Sequence, residues 1–239
     1  MGYLIAEKTI IGTREEQQDC AFSTRGESHA FAVVCDGMGG LGFGSAASVV
    51  AVNKLKELYA AKPSEESWPA FFLRAVDILD EAVASLRNEK GEKCNAGTTL
   101  VATAIEGDAL TWLSVGDSRL YILRGNEIVC ATRDHNYFLV AQTAEKRKGE
   151  ALISFIGMGG VEIMDINEAP FRLLPSDILL LTTDGLTKAL SDKEIMRILR
   201  SGPLEQALAQ LIDTATKQSN RTQDNTTCIA IQYSKEARS

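Results

Sequence analysis

Three apolar runs in this chain each stop on an acid beside a glycine: Val33-Val34-Cys35-Asp36-Gly37, Leu113-Ser114-Val115-Gly116-Asp117-Ser118 and Leu180-Leu181-Thr182-Thr183-Asp184-Gly185. A segment as uniformly apolar as residues 30–35 suits a β-strand covered on both faces, so further layers must flank its sheet. Asp224 opens the last β-like run, in Asp224-Asn225-Thr226-Thr227, and Asp19 stands just before a short one at 20–23. Carboxylates at strand ends can converge on one rim of a sheet, where four or five of them would repel severely unless cations lay between. A single Asp-Gly is an ordinary turn dipeptide. The grouping is the signal.

The remaining pattern predicts what surrounds those strands. Residues 4–10, 98–105, 110–115, 120–123 and 128–132 read as strands, with Gly107-Asp108 and Gly125-Asn126 as hairpin turns. Residues 45–60 read as helix, and Trp68, Phe71, Phe72, Ala75, Ile78, Leu79, Ala82 and Leu86 keep a three-and-four spacing with charges opposite. Residues 136–160 are of mixed polarity and include Lys146-Arg147-Lys148, which suits a loop or short helical, flap-like insertion. Strands are expected again at 161–164, 171–174, 178–183 and 226–233, with helices at 192–200 and 204–217. Strands grouped around two helical blocks, without strict β-α alternation, predict an α+β fold. The expected architecture is a four-layer α-β-β-α sandwich, two mainly antiparallel sheets flanked by helices, in a single domain over 1–239.

Composition narrows the class. Thirty-two acidic against 25 basic residues give a net charge of −7, which argues against nucleic acid as a partner. The 5 cysteines are an odd number with no C-x-x-C pair, the usage of reduced thiols that pack in a core. No run approaches the roughly 18 apolar residues of a membrane span, and residues 1–7 lack the basic and apolar regions of a signal peptide. A soluble, cytoplasmic protein with no membrane partner is expected.

Oxygen ligands without histidine or cysteine beside them favour Mg²⁺ or Mn²⁺ over Zn²⁺, and a neighbouring glycine lets backbone approach an ion. Arg14, five residues before Asp19, could add a planar bidentate donor suited to phosphate. One rival motif, Gly37-Met38-Gly39-Gly40-Leu41-Gly42, matches a dinucleotide-binding pattern after a strand and before a helix. That fingerprint needs a second parallel strand ending in an acid about 20 residues on. Here the chain stays helical over residues 45–88 apart from a break near Pro63, so the dinucleotide reading fails. A P-loop, a cysteine followed at the sixth position by arginine, and a serine elbow are all absent. His29 and His135 read as structural.

Together the motifs Arg14-x-x-x-Gln18-Asp19, Val34-Cys35-Asp36-Gly37-Met38-Gly39-Gly40, Gly97-Thr98-Thr99, Val115-Gly116-Asp117-Ser118-Arg119, Thr132-Arg133-Asp134-His135, Thr183-Asp184-Gly185-Leu186 and Asp224-Asn225-Thr226-Thr227 resemble the metal-dependent serine/threonine protein phosphatases of type 2C, in their bacterial form. They follow the family's order over nearly the whole chain. The resemblance implies hydrolysis of phosphoserine and phosphothreonine by water activated between two Mn²⁺ or Mg²⁺ ions, in protein substrates of a serine/threonine kinase. It implies that Asp36 bridges both ions, that the Gly37 carbonyl binds one, and that Asp184 and Asp224 hold the other. Asp19 would act through metal-bound water, Asp117 with Asp184 would favour a third, weaker ion, and Arg14 would grip the substrate phosphate. Gln18 stands where members often carry Glu, Met38 where eukaryotic members place histidine, and the segment after His135 is shorter than the usual flap. Gln18 and the short flap motivate an alternative, a regulatory module of the same fold that binds phosphoproteins without turnover. Another is a phosphatase acting on anti-sigma-factor antagonists.

Overall fold

A computed structural model describes residues 2–38, 42–140, 151–219 and 222–234. The glycines Gly39 and Gly40 of the dinucleotide-like motif and the basic cluster Lys146-Arg147-Lys148 lie outside the described residues.

Among the described residues, eleven strands form two antiparallel sheets. The first has the order β1-β11-β10-β6-β7, built from Gly2–Ile10, Thr226–Ser234, Ile178–Thr182, Arg119–Arg124 and Glu127–Ala131. The second runs β2-β3-β4-β5-β8, built from Asp19–Arg25, His29–Asp36, Leu100–Glu106, Ala109–Val115 and Asp165–Ile166, with β9 (Phe171–Arg172) also pairing β5. Alternation along the strands sends Val34, Val101, Leu120, Leu181 and Ile229 into the space between the sheets. The opposite faces carry Val33, Cys35, Ala102 and Leu113 on one sheet and Tyr121, Leu180 and Ala230 on the other.

Helices α1 (Gly44–Ala60) and α2 (Trp68–Ala84) cover the second sheet through Ala51, Leu55, Phe72, Val76 and Leu79. Helix α2 starts where the Ser67 hydroxyl accepts from Ala70 N, with Pro69 in the first turn, where its missing donor costs nothing. Two short helices follow, α3 (Tyr137–Val140) and α4 (Asp184–Thr187). The first sheet is covered by α5 (Asp192–Leu199), opened by a Ser191/Glu194 capping box, and by α6 (Leu204–Gln218). Three apolar strata between four layers make this the α+β, α-β-β-α sandwich that the strand pattern predicts.

One expectation is corrected. Residues 161–164 form no strand, and pairing resumes only at Asp165. Just before this stretch the buried carboxylate of Asp80 on α2 accepts from the backbone N–H groups of Gly157 at 2.6 Å and Gly160 at 2.7 Å, and within it the Ile163 carbonyl accepts from the Ser154 hydroxyl at 2.6 Å. Donors spent on a helix side chain cannot enter a ladder. The second run is also shorter than expected, because β4 begins at Leu100, after Thr98 and Thr99 have turned their polar groups to Asp36. Among the described residues, no helix is long and apolar enough to cross a membrane.

Candidate metal centre

The register places the strand ends beside Asp19, Asp36, Asp117, Asp184 and Asp224 at one end of the sandwich. Asp19 opens β2 directly opposite Asp36, which closes β3. Val115, just before Asp117, pairs with Leu100 at the start of β4. In the other sheet Thr182, just before Asp184, pairs with Cys228 near the start of β11 and with Arg119 at the start of β6. The crossings between sheets at this end include the segments that carry Arg14 and Asp117.

A cavity of about 800 Å³ opens at this end, and Arg14, Gln18, Asp36, Gly37, Asp117, Asp184 and Asp224 line it. Asp19 does not reach the wall. It sits behind Asp36, 8% exposed, and accepts a hydrogen bond from the Thr183 hydroxyl at 3.0 Å. So the structure brings six of the seven expected residues to one surface and keeps the seventh one layer below.

Backbone fits are tight where the strands meet. Gly37 N donates to Gln18 O at 3.0 Å, and a Cβ on Gly37 would lie 2.1 Å from Gly44 O, a clash that only glycine avoids. Asp36 N donates to the Thr99 hydroxyl at 2.9 Å, and that hydroxyl is 2.6 Å from Ser118, so one Thr–Ser pair joins the Asp36 and Asp117 strand ends. Gly12, at φ 66°, lets Thr13 N reach Gln223 O at 2.8 Å, which holds the Arg14 segment against Asp224. Asn225 completes that junction by accepting from Gln18 N at 2.9 Å and donating to Ile11 O at 2.8 Å.

The electrostatics of the cluster are unfavourable for the protein alone. Burial, then the charges of Asp184, Asp19, Asp117 and Asp224, push the Asp36 carboxyl well above its ordinary range. Asp19 and Asp117 are each pushed up to about 7, in both cases chiefly by burial. Asp184 is raised by burial against the opposing pull of Lys188. One oxygen of Asp19 and one of Asp184, each Oδ1, are buried without a hydrogen-bond partner. A buried, unpartnered carboxylate oxygen is costly unless something positive binds it.

Two of the acids lean on cations of the chain. Arg14 Nη2 lies 2.7 Å from Asp224 Oδ2, and the Lys188 ammonium pairs with Asp184 Oδ2. Among the described residues no three acidic, cysteine or histidine side chains form a closed ligand cage. The donor set is nonetheless all hard oxygen, with two orphaned carboxylate oxygens and a glycine-lined backbone approach. It suits a hard divalent cation.

Sequence reasoning missed several residues here. Thr183, Gln223 and Lys188 had no assigned role, yet Thr183 supports Asp19 and Gln223 donates to Gly185 O at 2.9 Å. For Lys188 the only local signal was its i,i+4 spacing from Asp184. His135 is structural as read: it is buried, and its Nδ1 accepts from Gly116 N at 3.1 Å. Gln18 lines the cavity and turns its amide to Glu16 Oε2 at 3.2 Å.

Comparison with known proteins adds a family to this geometry. The serine/threonine phosphatase stp of Listeria welshimeri is 27% identical over 220 residues, covering 86% of this chain and 85% of that protein. Protein phosphatase PhpP of Streptococcus pneumoniae is 28% identical over 182 residues, covering 71% of this chain and 72% of its own length. The structure of the S. agalactiae serine/threonine phosphatase superposes with a TM-score of 0.83 at 25% identity, covering 97% of this chain and 99% of that one. The family profile described as Protein phosphatase 2C matches residues 9–226. This chain, with its strand-end aspartates gathered on one rim, belongs to the protein phosphatase 2C family.

Proposed function

We propose that this chain is a protein-serine/threonine phosphatase that hydrolyses phosphoserine and phosphothreonine with two divalent cations, Mn²⁺ or Mg²⁺, and that residues 1–239 act as one catalytic domain. The observation that carries this reading is the set of mutually repelling, buried carboxylates with unpartnered oxygens beside Arg14. Asp36 would serve both ions, the Gly37 carbonyl one of them, and Asp184 with Asp224 the other. When bound, such ions neutralise charge on a phosphoryl group and acidify the attacking water.

The chain's own residues supply positioning. Arg14, with its side chain 56% exposed, is held by Asp224 through Nη2 at 2.7 Å and has the remaining donors of its guanidinium fork to turn toward phosphate. Thr183 holds Asp19 from behind, with its hydroxyl also accepting from Thr227 N at 3.0 Å. Among the described residues, no cysteine, serine or histidine lines this cavity, which favours direct attack by water over an intermediate on such a side chain. The expected partners are cytoplasmic phosphoproteins of a serine/threonine kinase.

A phosphopeptide assay with and without Mn²⁺, run on the wild type and on Asp184→Ala, tests the reading. Turnover that requires metal and collapses in the variant supports it. Metal-independent rates, or phosphopeptide binding without turnover, would point instead to a non-catalytic module.

A further inference from the structure

The cavity carries three cations of the chain, and each faces a particular acid. Arg119 clasps Asp134 through Nε at 2.6 Å and Nη2 at 2.7 Å, so that pair closes on itself. Arg14 meets Asp224 from the exposed rim. Lys188 differs from both. It follows Asp184 by four residues, and its backbone N–H donates to Asp184 O at 2.8 Å, which lays the side chain back over its own turn. Its ammonium pairs with Asp184 Oδ2 and stands in the fields of Asp117 and Asp224 as well. The other oxygen of Asp184 has no hydrogen-bond partner among the described residues.

One aspartate is therefore divided. One of its oxygens is left for the cluster around Asp36, and the other is held by a cation tethered to the chain. Among the described residues Asp117 has no ion pair of its own, and it lines the same cavity wall as Asp184 and Lys188. An ammonium is a compact point charge with three donors on a flexible stem, the side chain best able to replace a weakly held ion between two carboxylates.

Resting on the metal-centre reading above, we infer that Lys188 is a built-in cation at the Asp117–Asp184 side of the cavity, occupying the place of an additional divalent ion and limiting the chain to two. Because the charge is covalently attached, it cannot be lost by dilution. The chain thus exchanges a concentration-dependent ion for a permanent one.

Equilibrium Mn²⁺ binding, followed by the electron paramagnetic resonance signal of free Mn²⁺, tests this on wild type, Lys188→Met, Lys188→Arg and the double variant Lys188→Met/Asp117→Asn. The Lys188 side chain is more than half exposed, so removing its charge leaves the core untouched. The wild type and Lys188→Arg should bind two ions per chain, Lys188→Met should gain a third, weaker one, and the double variant should return to two. Two ions in both the wild type and Lys188→Met overturn the role of Lys188 while leaving the metal centre standing. No manganese bound by any of the four proteins overturns both.

Discussion

Strand β10 carries a buried aspartate at each end, and the two ends obey opposite rules. Asp177, fully buried, accepts from Arg124 Nε at 3.0 Å, Arg124 Nη2 at 2.7 Å and Leu174 N at 2.8 Å. Asp184, with its side chain 14% exposed, keeps one oxygen without any donor and faces four other acids, Asp19, Asp36, Asp117 and Asp224. The deeper carboxylate is the satisfied one. Burial alone therefore does not mark a functional acid; an unmet demand for positive charge does.

The contrast can be broken most sharply at Asp36, the acid most burdened by its neighbours. Asp36→Asn should lower metal-dependent turnover by about 10³-fold or more, about 4 kcal/mol in the barrier, in a steady-state assay. In chelator the same variant should melt above the wild type, because one repelling charge is gone. At the other end of the strand the sign reverses. Asp177→Ala should destabilise the fold by about 3 kcal/mol in denaturant titration, since it strips Arg124 of its partner. A stabilised Asp177→Ala would erase the distinction between the two ends.

A pH effect sharpens it. Asp19 and Asp117 have an ordinary value of 3.8 and are raised to about 7 in the fold. Between those values the folded chain holds protons that the unfolded chain has released. The contribution of these two groups to the stability of the chelated protein is thus fully present below about pH 4 and is lost as pH rises to about 7, on the order of 4 kcal/mol for each. Thermal melts across that window should show the fall, and saturating Mn²⁺ should flatten it. A melting temperature that climbs over the same range in chelator would contradict the picture of mutually repelling acids.

Much of this was legible in the chain. The acids Asp36, Asp117 and Asp184 stood out because each ends a run apolar enough to be buried, and an ionised side chain at such a point is conspicuous locally. Asp224 and Asp19 carried less local signal and drew their meaning from the order of motifs. The strand expected at 161–164 did not form: the chain arrives there from a turn whose glycine N–H groups are held by Asp80, about 80 residues earlier, and the Ile163 carbonyl accepts from the Ser154 hydroxyl. Lys188 was overlooked because an Asp and a Lys four residues apart are commonplace on exposed helices. Only the neighbouring acids of other strands give that pair a purpose.

By itself, the sequence determined what is set by short-range periodicity: which segments are strands or helices, that strands apolar on both faces need two cover layers, and which acids interrupt them. The tertiary structure decided which of those acids meet. Arg14 and Asp224 lie 210 residues apart, and Asp19 and Thr183 164, yet each pair is in contact. Contacts of that kind depend on sheet order and on the crossovers between sheets, which no local window of residues encodes. The division of labour at the rim, with Asp19 behind, Asp184 shared and Lys188 laid across it, exists only once both sheets have closed.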